Sequence, residues 1–127
     1  MIIRIEPESD TPIYLQISNQ IMEGIARGSL RPGDTLPSVR TFASDLSVNM
    51  HTVNKSYHHL ENKGIIGITP KSGAVISALQ DFQESTYDRL KGEFKPLIAE
   101  SIVIGMSKVQ IHELVNSIIE DINKTKM

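Results

Sequence analysis

Cysteine is absent from this sequence of 127 residues. A chain without thiols has no disulfides, no cysteine-ligated zinc or iron–sulfur site and no thiol nucleophile. Long apolar runs are also absent, since none approaches the ~18 residues of a membrane-spanning helix, and the N-terminus lacks the basic start and apolar stretch of a signal peptide. We therefore expect a cytoplasmic protein that makes no contact with a membrane.

The sequence also lacks the motifs of several enzyme classes. It has no glycine-rich phosphate loop, no Gly-x-Ser-x-Gly elbow and no His-Glu-x-x-His. The histidines are poorly arranged for a metal, because His58 and His59 diverge on a predicted helix and His51 lies about 10.5 Å from His58 along it. We expect no enzymatic activity, no cofactor and no metal site.

A strongly basic balance is missing as well, because the formal net charge is −2. Mild acidity argues against a nucleic-acid partner, since such proteins gain affinity by neutralising phosphates. The charge is unevenly distributed, however: residues 27–71 carry six basic and three acidic side chains, and residues 79–127 carry six basic and eight acidic ones. The chain therefore has a basic middle and an acidic end, and its total charge is uninformative.

The first 78 residues contain signals for three helices. Pro12 begins a helix whose isoleucines recur every four residues, and Gly28 ends it. After a tight turn, Ser38 caps a short second helix that ends near Leu46, and Asn49 caps a third after a three-residue step. The apolar stripe of this third helix is Val53, Tyr57 and Leu60, and Ser56 is small enough to pack against a crossing helix.

Two further patterns complete the chain. The β-branched runs 65–69 and 74–77 flank a Pro/Gly turn and predict a hairpin. From about Leu79 a long helical pattern follows, in which Pro96 predicts a kink or break near Phe94. Ser107 and Gln110 form a capping box for a last helix.

This order of elements is typical of a winged helix-turn-helix, whose third helix enters the major groove of DNA. We predict an α+β fold that is mainly helical, with an N-terminal winged helix-turn-helix followed by two C-terminal helices. The expected boundaries are residues 1–78 for the DNA-binding domain and 79–127 for a two-helix dimerisation region.

Particular residues strengthen this interpretation. The chain contains PIYLQI at 12–17, GSLRPGDTLPSVR at 28–40, VNMHTVNKSY at 48–57 and LENKGI at 60–65. Together these segments closely resemble the DNA-binding domain of the GntR family of bacterial transcriptional regulators, over about residues 10 to 77. The short C-terminal part resembles the YtrA-type subfamily. The resemblance implies a homodimeric regulator, most simply a repressor on an inverted-repeat operator of double-stranded DNA, and it suggests a neighbouring transport operon as target.

The resemblance and the residue chemistry together give a set of DNA contacts. Arg40 lies opposite the apolar face of the second helix, where the family pattern places an arginine against phosphate or base; otherwise it is a surface arginine or part of a salt bridge. On the third helix, Asn can bind adenine, and Thr or Met can touch a thymine methyl. The candidates are Ser38, Arg40, Asn49, Met50, His51, Thr52, Asn54, Lys55, His58, Lys71 and Gly73.

Two stretches depart from the family pattern. Met50, His51 and Asn54 stand where relatives often carry arginine, so the operator sequence is open. In the wing, Gly73 retains the second glycine of a Gly-x-Gly turn, but Lys71 replaces the first. Lys71 either approaches phosphate or only solubilises the loop, just as Ser38 either donates to a phosphate or only caps its helix.

The C-terminal helices cannot enclose a core alone, so their apolar faces must pack on the winged domain or on another subunit. We expect a homodimer with this interface: Phe94, Leu97, Ile98, Ile102, Leu114, Val115, Ile118, Ile119 and Ile122. No effector is indicated by the sequence. An alternative is a winged helix that contacts proteins without specific DNA binding.

Overall fold

The computed structural model of the protein describes residues 2–78 and 83–124. The described residues form two compact units, one up to residue 78 and one from residue 83. The first contains α1 (Ile13–Ala26), α2 (Val39–Leu46), α3 (Met50–Asn62) and the strands β1 (Ile66–Thr69) and β2 (Gly73–Ile76). The second contains α4 (Glu84–Val103) and α5 (Lys108–Asn123). The predicted α+β class and element order are confirmed.

The first unit has one hydrophobic core between its three helices and its hairpin. Ile17 and Ile21 of α1 are completely buried, as are Val53 and Leu60 of α3. Phe42 and Ala43 supply the contribution of α2, and β1 and β2 add Ile66, Ala74 and Ile76. The four-residue isoleucine spacing in α1 and the apolar stripe of α3 therefore bury the faces that the sequence predicts.

Two glutamines of α1 bind the segment that precedes the helix. The Gln20 side chain accepts from the Arg4 N–H and donates to the Arg4 carbonyl, at 2.9 and 2.7 Å. One turn away along the helix surface, Gln16 forms the same pair of bonds with Glu6 and also donates to the Thr11 carbonyl. These side-chain amides bond to backbone N–H and carbonyl groups that would otherwise need a neighbouring strand as partner.

The helix-turn-helix joint is set by two caps and one left-handed residue. The Ser38 hydroxyl accepts from the Thr41 N–H at the start of α2, and the Asn49 side chain accepts from the His51 N–H at the start of α3. Between the helices, Ser47 has a φ of 57°, a conformation that usually favours glycine. The Val48 N–H then returns to the Ala43 carbonyl and closes the C-terminus of α2.

The wing has more pairing than the expected hairpin. β1 and β2 are antiparallel with Ile66 opposite Ile76 and Thr69 opposite Gly73. In addition, Thr35 forms a bridge to Val75, and the Leu36 N–H donates to the Ala74 carbonyl at 2.8 Å. The segment that follows the tight turn therefore pairs with β2 through an isolated bridge, which ties the stretch before α2 to the wing.

In the second unit, the break that was one of the two outcomes predicted near Phe94 does not occur. α4 runs through Pro96 without a break. Gly92, whose carbonyl would accept from residue 96, is exposed, so water can satisfy that carbonyl. The capping box of Ser107 and Gln110 at the start of α5 is present. Phe82, which the helical pattern includes, lies outside the described residues.

Candidate nucleic-acid interface

The inner face of α3 is fixed to α1 through two small residues. Ser18 and Ser56 are completely buried, and their hydroxyl oxygens lie 2.7 Å apart. The Ser18 hydroxyl also donates to the Tyr14 carbonyl at 2.8 Å. Small side chains at this position let the two helices approach closely, as the sequence indicates for Ser56.

The same face of α3 is fixed to α2 through Tyr57. Its ring packs against that of Phe42 with centroids 6.2 Å apart, and its hydroxyl donates to the Pro37 carbonyl at 2.7 Å. Burial raises the pKa of Tyr57, so the phenol keeps its proton and remains a donor. The chain is thereby held just before α2, at the residue that precedes the N-cap Ser38.

The outer face of α3 is exposed at its N-terminal end. Met50 is 45% exposed, His51 and Asn54 are exposed, and Thr52 is half-buried. Asn49 uses its side-chain oxygen to cap the helix, at 2.7 Å from the His51 nitrogen. Since bidentate binding of adenine needs both amide atoms, Asn54 is better prepared for it than Asn49.

Further along α3, two candidate residues have partners within the protein. The Lys55 ammonium lies 4.3 Å from the centre of the Tyr14 ring, and the His59 ring packs against the same tyrosine in a T-shaped arrangement. His58 lies 3.6 Å from a Glu61 carboxylate oxygen, a contact that becomes an ion pair when the imidazole is protonated. No local pattern predicts the Tyr14 contact, because its members lie on different helices.

The two predicted DNA contacts at α2, Ser38 and Arg40, differ in whether they already have partners within the protein. The Ser38 hydroxyl donates to the Thr41 hydroxyl at 2.9 Å besides capping the helix, so this hydroxyl already has partners. Arg40 is exposed and forms no hydrogen bond or ion pair with any residue in the two described ranges. Its guanidinium retains all its donors for an external acceptor.

The wing candidates lie at the hairpin turn. Lys71 and Gly73 are exposed, and Gly73 has a φ of 68°, which explains why glycine suits this position. Ser72 is tied back by its N–H, which donates to the Thr69 hydroxyl. The turn is therefore ordered while the Lys71 side chain faces solvent.

The charge of the first unit needs a correction. The excess of basic residues in the middle of the chain is offset by residues 1–26, which carry four acidic side chains and one arginine. Residues 1–78 contain seven basic and seven acidic side chains, so this part of the chain is neutral. Local placement of Arg40, Lys55 and Lys71, rather than net charge, has to supply any attraction to phosphate.

The second unit exposes the apolar residues expected at a dimer interface. α4 buries none of its residues, and α5 buries only Ile111. Phe94, Leu97 and Ile102 are more than half exposed. Ile98, Ile111 and Ile119 help to line an open groove of about 760 Å³ between the two helices. The remaining candidates are Leu114, Val115 and Ile118, which are exposed, and Ile122, which is half-buried.

The geometry defines a winged helix-turn-helix protein of the DNA-binding class, with α3 as recognition helix and β1–β2 as wing. Residues 13–76 match the family model of bacterial regulatory proteins, gntR family. The chain belongs to this family. It is therefore a DNA-binding transcriptional regulator and not an enzyme.

Relatives extend the likeness to nearly the whole chain. The sequence is 37% identical over 126 residues to the HTH-type transcriptional repressor YtrA of Bacillus subtilis, which covers 98% of this chain and 97% of the repressor. A crystal structure described as a transcriptional antiterminator from Listeria monocytogenes has a TM-score of 0.89 at 30% identity and covers 96% of this chain and 92% of its own. YtrA from Sulfolobus acidocaldarius has a TM-score of 0.66 at 43% identity, covering 78% and 99% respectively.

The described residues also bear on membranes and metals. None of their helices combines the length and apolar character needed to cross a membrane. Within residues 2–78 and 83–124, no three histidine, aspartate or glutamate side chains converge as metal ligands would.

Proposed function

We propose that the protein is a homodimeric repressor that acts in the bacterial cytoplasm by occupying an inverted-repeat operator. The observation that carries the proposal is how α3 is held: its inner face is packed on α1 and α2, while the N-terminal end of its outer face is exposed and, apart from Met50, polar. A rigid helix with free side chains at its N-terminus is what base readout in the major groove requires. The near full-length similarity to a protein named as a repressor supports the direction of regulation.

Different residues have different roles in this proposal. Asn54 and Met50 read base edges, the first by hydrogen bonds and the second by apolar contact with a thymine methyl. Asn49, His51 and Thr52 lie beside them at the start of α3. The contacts with backbone phosphate come from the α2 start, the later part of α3 and the wing, through Ser38, Arg40, Lys55, His58, Lys71 and Gly73.

The dimer is proposed to form through residues 79–127, with residues 1–78 as the DNA-binding part. Two helices that bury almost no side chains are unstable alone in water, so their apolar faces need a partner. A second copy of the same helices offers a complementary apolar face. A two-fold dimer then places two α3 helices on half-sites roughly 34 Å, or one helical turn, apart.

The operator can be found by selecting bound fragments from random duplex DNA with the purified full-length protein. We expect a palindrome with fixed half-site spacing, and in the genome we expect such sites beside a transport operon. Binding should weaken steeply with salt, because phosphate contacts release counterions. A flat salt response with no sequence preference would instead indicate the protein-contacting alternative.

Arg40→Ala tests the phosphate or base contact of α2. We expect it to weaken binding to the selected operator by ~1–3 kcal/mol. Arg27→Ala is a matched control, because it removes the same charge from the same unit but Arg27 already binds Glu23 at 2.6 Å. Equal losses for the two variants would show that only net charge matters.

A double substitution tests the dimer surface. Ile118→Glu with Ile119→Glu should yield monomers in light scattering, since a buried unpaired carboxylate is strongly unfavourable. Val103→Glu, at a position that is 84% exposed and outside the proposed interface, should leave the dimer intact. A dimer that persists in the double variant would place the interface elsewhere.

A further inference from the structure

We propose that Tyr14 is a positioning residue for DNA binding, whose ring holds the Lys55 ammonium ready to contact a backbone phosphate. The inference rests on the proposed phosphate contact of Lys55. It assigns a binding role to a residue of α1, a helix that supplies none of the contacts proposed above.

The first step is the geometry of the ring. Tyr14 is the second residue of α1, and its half-buried ring faces two residues of α3 that are one turn apart. The Lys55 nitrogen lies 4.3 Å from the ring centre, and the His59 ring stands at 83° to it with centroids 5.8 Å apart. A cation within about 6 Å of an aromatic face is attracted by the negative charge of that face.

The second step is that a ring holds a lysine without neutralising it. No carboxylate of the described residues forms a salt bridge with Lys55, although such a partner would also fix the side chain. The tyrosine face uses no N–H of the ammonium in a conventional hydrogen bond, so the charge and the donors stay available. In a unit with equal numbers of acidic and basic residues, each unpaired cation is important.

The third step is position. Lys55 follows the first residue of α3 by five positions, or about 7.5 Å along the axis, so it lies beyond the turn that meets the bases. A helix of ~10–12 Å diameter nearly fills a major groove about 12 Å wide, which brings its flanks close to the phosphates. Lys55 lies on the flank that faces Tyr14.

The fourth step is the expected size of the effect. Immobilising a flexible side chain on binding weakens affinity by about two- to tenfold. A lysine already held by a ring avoids part of that loss. Loss of the ring should therefore lower affinity by up to this factor while the phosphate contact itself remains.

The experiment measures affinity and its salt dependence for the full-length protein on two duplexes. One is the duplex recovered by selection, and the other is a mixed-sequence duplex of about 30 base pairs, or three turns. The variants are Tyr14→Phe, Tyr14→Leu, Lys55→Gln and the double variant that combines Tyr14→Leu with Lys55→Gln. Thermal unfolding of each variant checks that it is folded.

We expect Tyr14→Phe to bind like the original protein, because it keeps the ring. Tyr14→Leu should weaken binding about two- to tenfold on both duplexes with the salt slope unchanged. Lys55→Gln should weaken binding at least as much and reduce the slope by about 1 per subunit. The double variant should bind like Lys55→Gln alone, since the ring acts only through the lysine.

Two outcomes would overturn the inference. If Tyr14→Leu weakens binding as much in the Lys55→Gln background as in the original protein, the ring has a merely structural role. If Lys55→Gln changes neither affinity nor slope, the lysine does not contact phosphate; the proposed regulator function would still stand when Arg40→Ala weakens operator binding. Absence of any selected duplex for the unmodified protein would instead reject the proposed function.

A second measurement keeps the test decisive if Tyr14→Leu fails to fold. The protons next to the Lys55 ammonium should show an upfield ring-current shift in NMR spectra of the unmodified protein, with and without DNA. Persistence of the shift in the complex supports positioning by the ring. Its disappearance on DNA binding means that the lysine leaves the ring, and overturns the proposal.

Discussion

The buried serine pair between α1 and α3 makes a sharp prediction about how the recognition helix is held. Ser18 has a single hydroxyl proton, which it gives to the Tyr14 carbonyl at 2.8 Å. We assign the Ser56 hydroxyl, 2.7 Å away, as the donor to the Ser18 oxygen, because the Tyr14 carbonyl is nearer to Ser18 than the Ser56 carbonyl at 3.5 Å. The two hydroxyls are thus unequal, although both side chains are completely buried.

Because the two hydroxyls differ in their partners, the two alanine substitutions should lower the unfolding free energy by different amounts. Ser18→Ala leaves the Ser56 donor without its partner in a buried place, at a cost of about 1–3 kcal/mol of unfolding free energy. Ser56→Ala removes a donor but leaves the bond from Ser18 to Tyr14, so we expect a loss of about 1 kcal/mol. The double variant has no unpaired proton and should lose no more than Ser18→Ala alone. The two substitutions should then be non-additive by about 1 kcal/mol.

The assay is urea unfolding of the full-length chain at one fixed protein concentration, followed by circular dichroism. Ser44→Ala on α2 is the matched control, because Ser44 is exposed and should change stability by less than about 0.5 kcal/mol. Losses that add to within ~0.3 kcal/mol would refute the reasoning, since additivity means that the hydroxyls do not interact. A larger loss for Ser56→Ala than for Ser18→Ala would refute the assigned direction of the bond.

Two further predictions concern the rest of the first unit. Gln16→Ala should lower the unfolding free energy by about 2 kcal/mol in the same urea assay, because three backbone groups of Glu6 and Thr11 lose their partner. Gln20→Ala should cost less than about 1 kcal/mol, because the bonds of Gln20 with Arg4 are exposed to water; equal losses would contradict this. Ser47→Gly should raise the unfolding free energy by about 0.5 kcal/mol. Glycine relieves the ~1–2 kcal/mol cost of the left-handed backbone at this position, but it also gives the unfolded chain more conformational freedom. If Ser47→Ala stabilises the protein as much in a thermal melt, backbone strain is not the cause.

Many local features of the fold could be predicted from the sequence because they depend on neighbours within one turn. The caps at Ser38, Asn49 and Ser107, the isoleucine spacing of α1 and the turn residues of the wing act over three or four positions, so they are visible in a linear pattern. The continuity of α4 through Pro96 was not predictable in this way, because it depends on the solvent exposure of Gly92.

The sequence by itself thus determined the class of fold, the order of helices and hairpin, and the set of polar residues at the start of α3. Only the tertiary structure decided which side chains and backbone segments already have partners elsewhere in the protein. Lys55 meets Tyr14, Ser56 meets Ser18 across 38 positions, and Thr35 pairs with Val75. Such contacts join segments that no local periodicity relates, since they exist only once the helices and the wing have packed together.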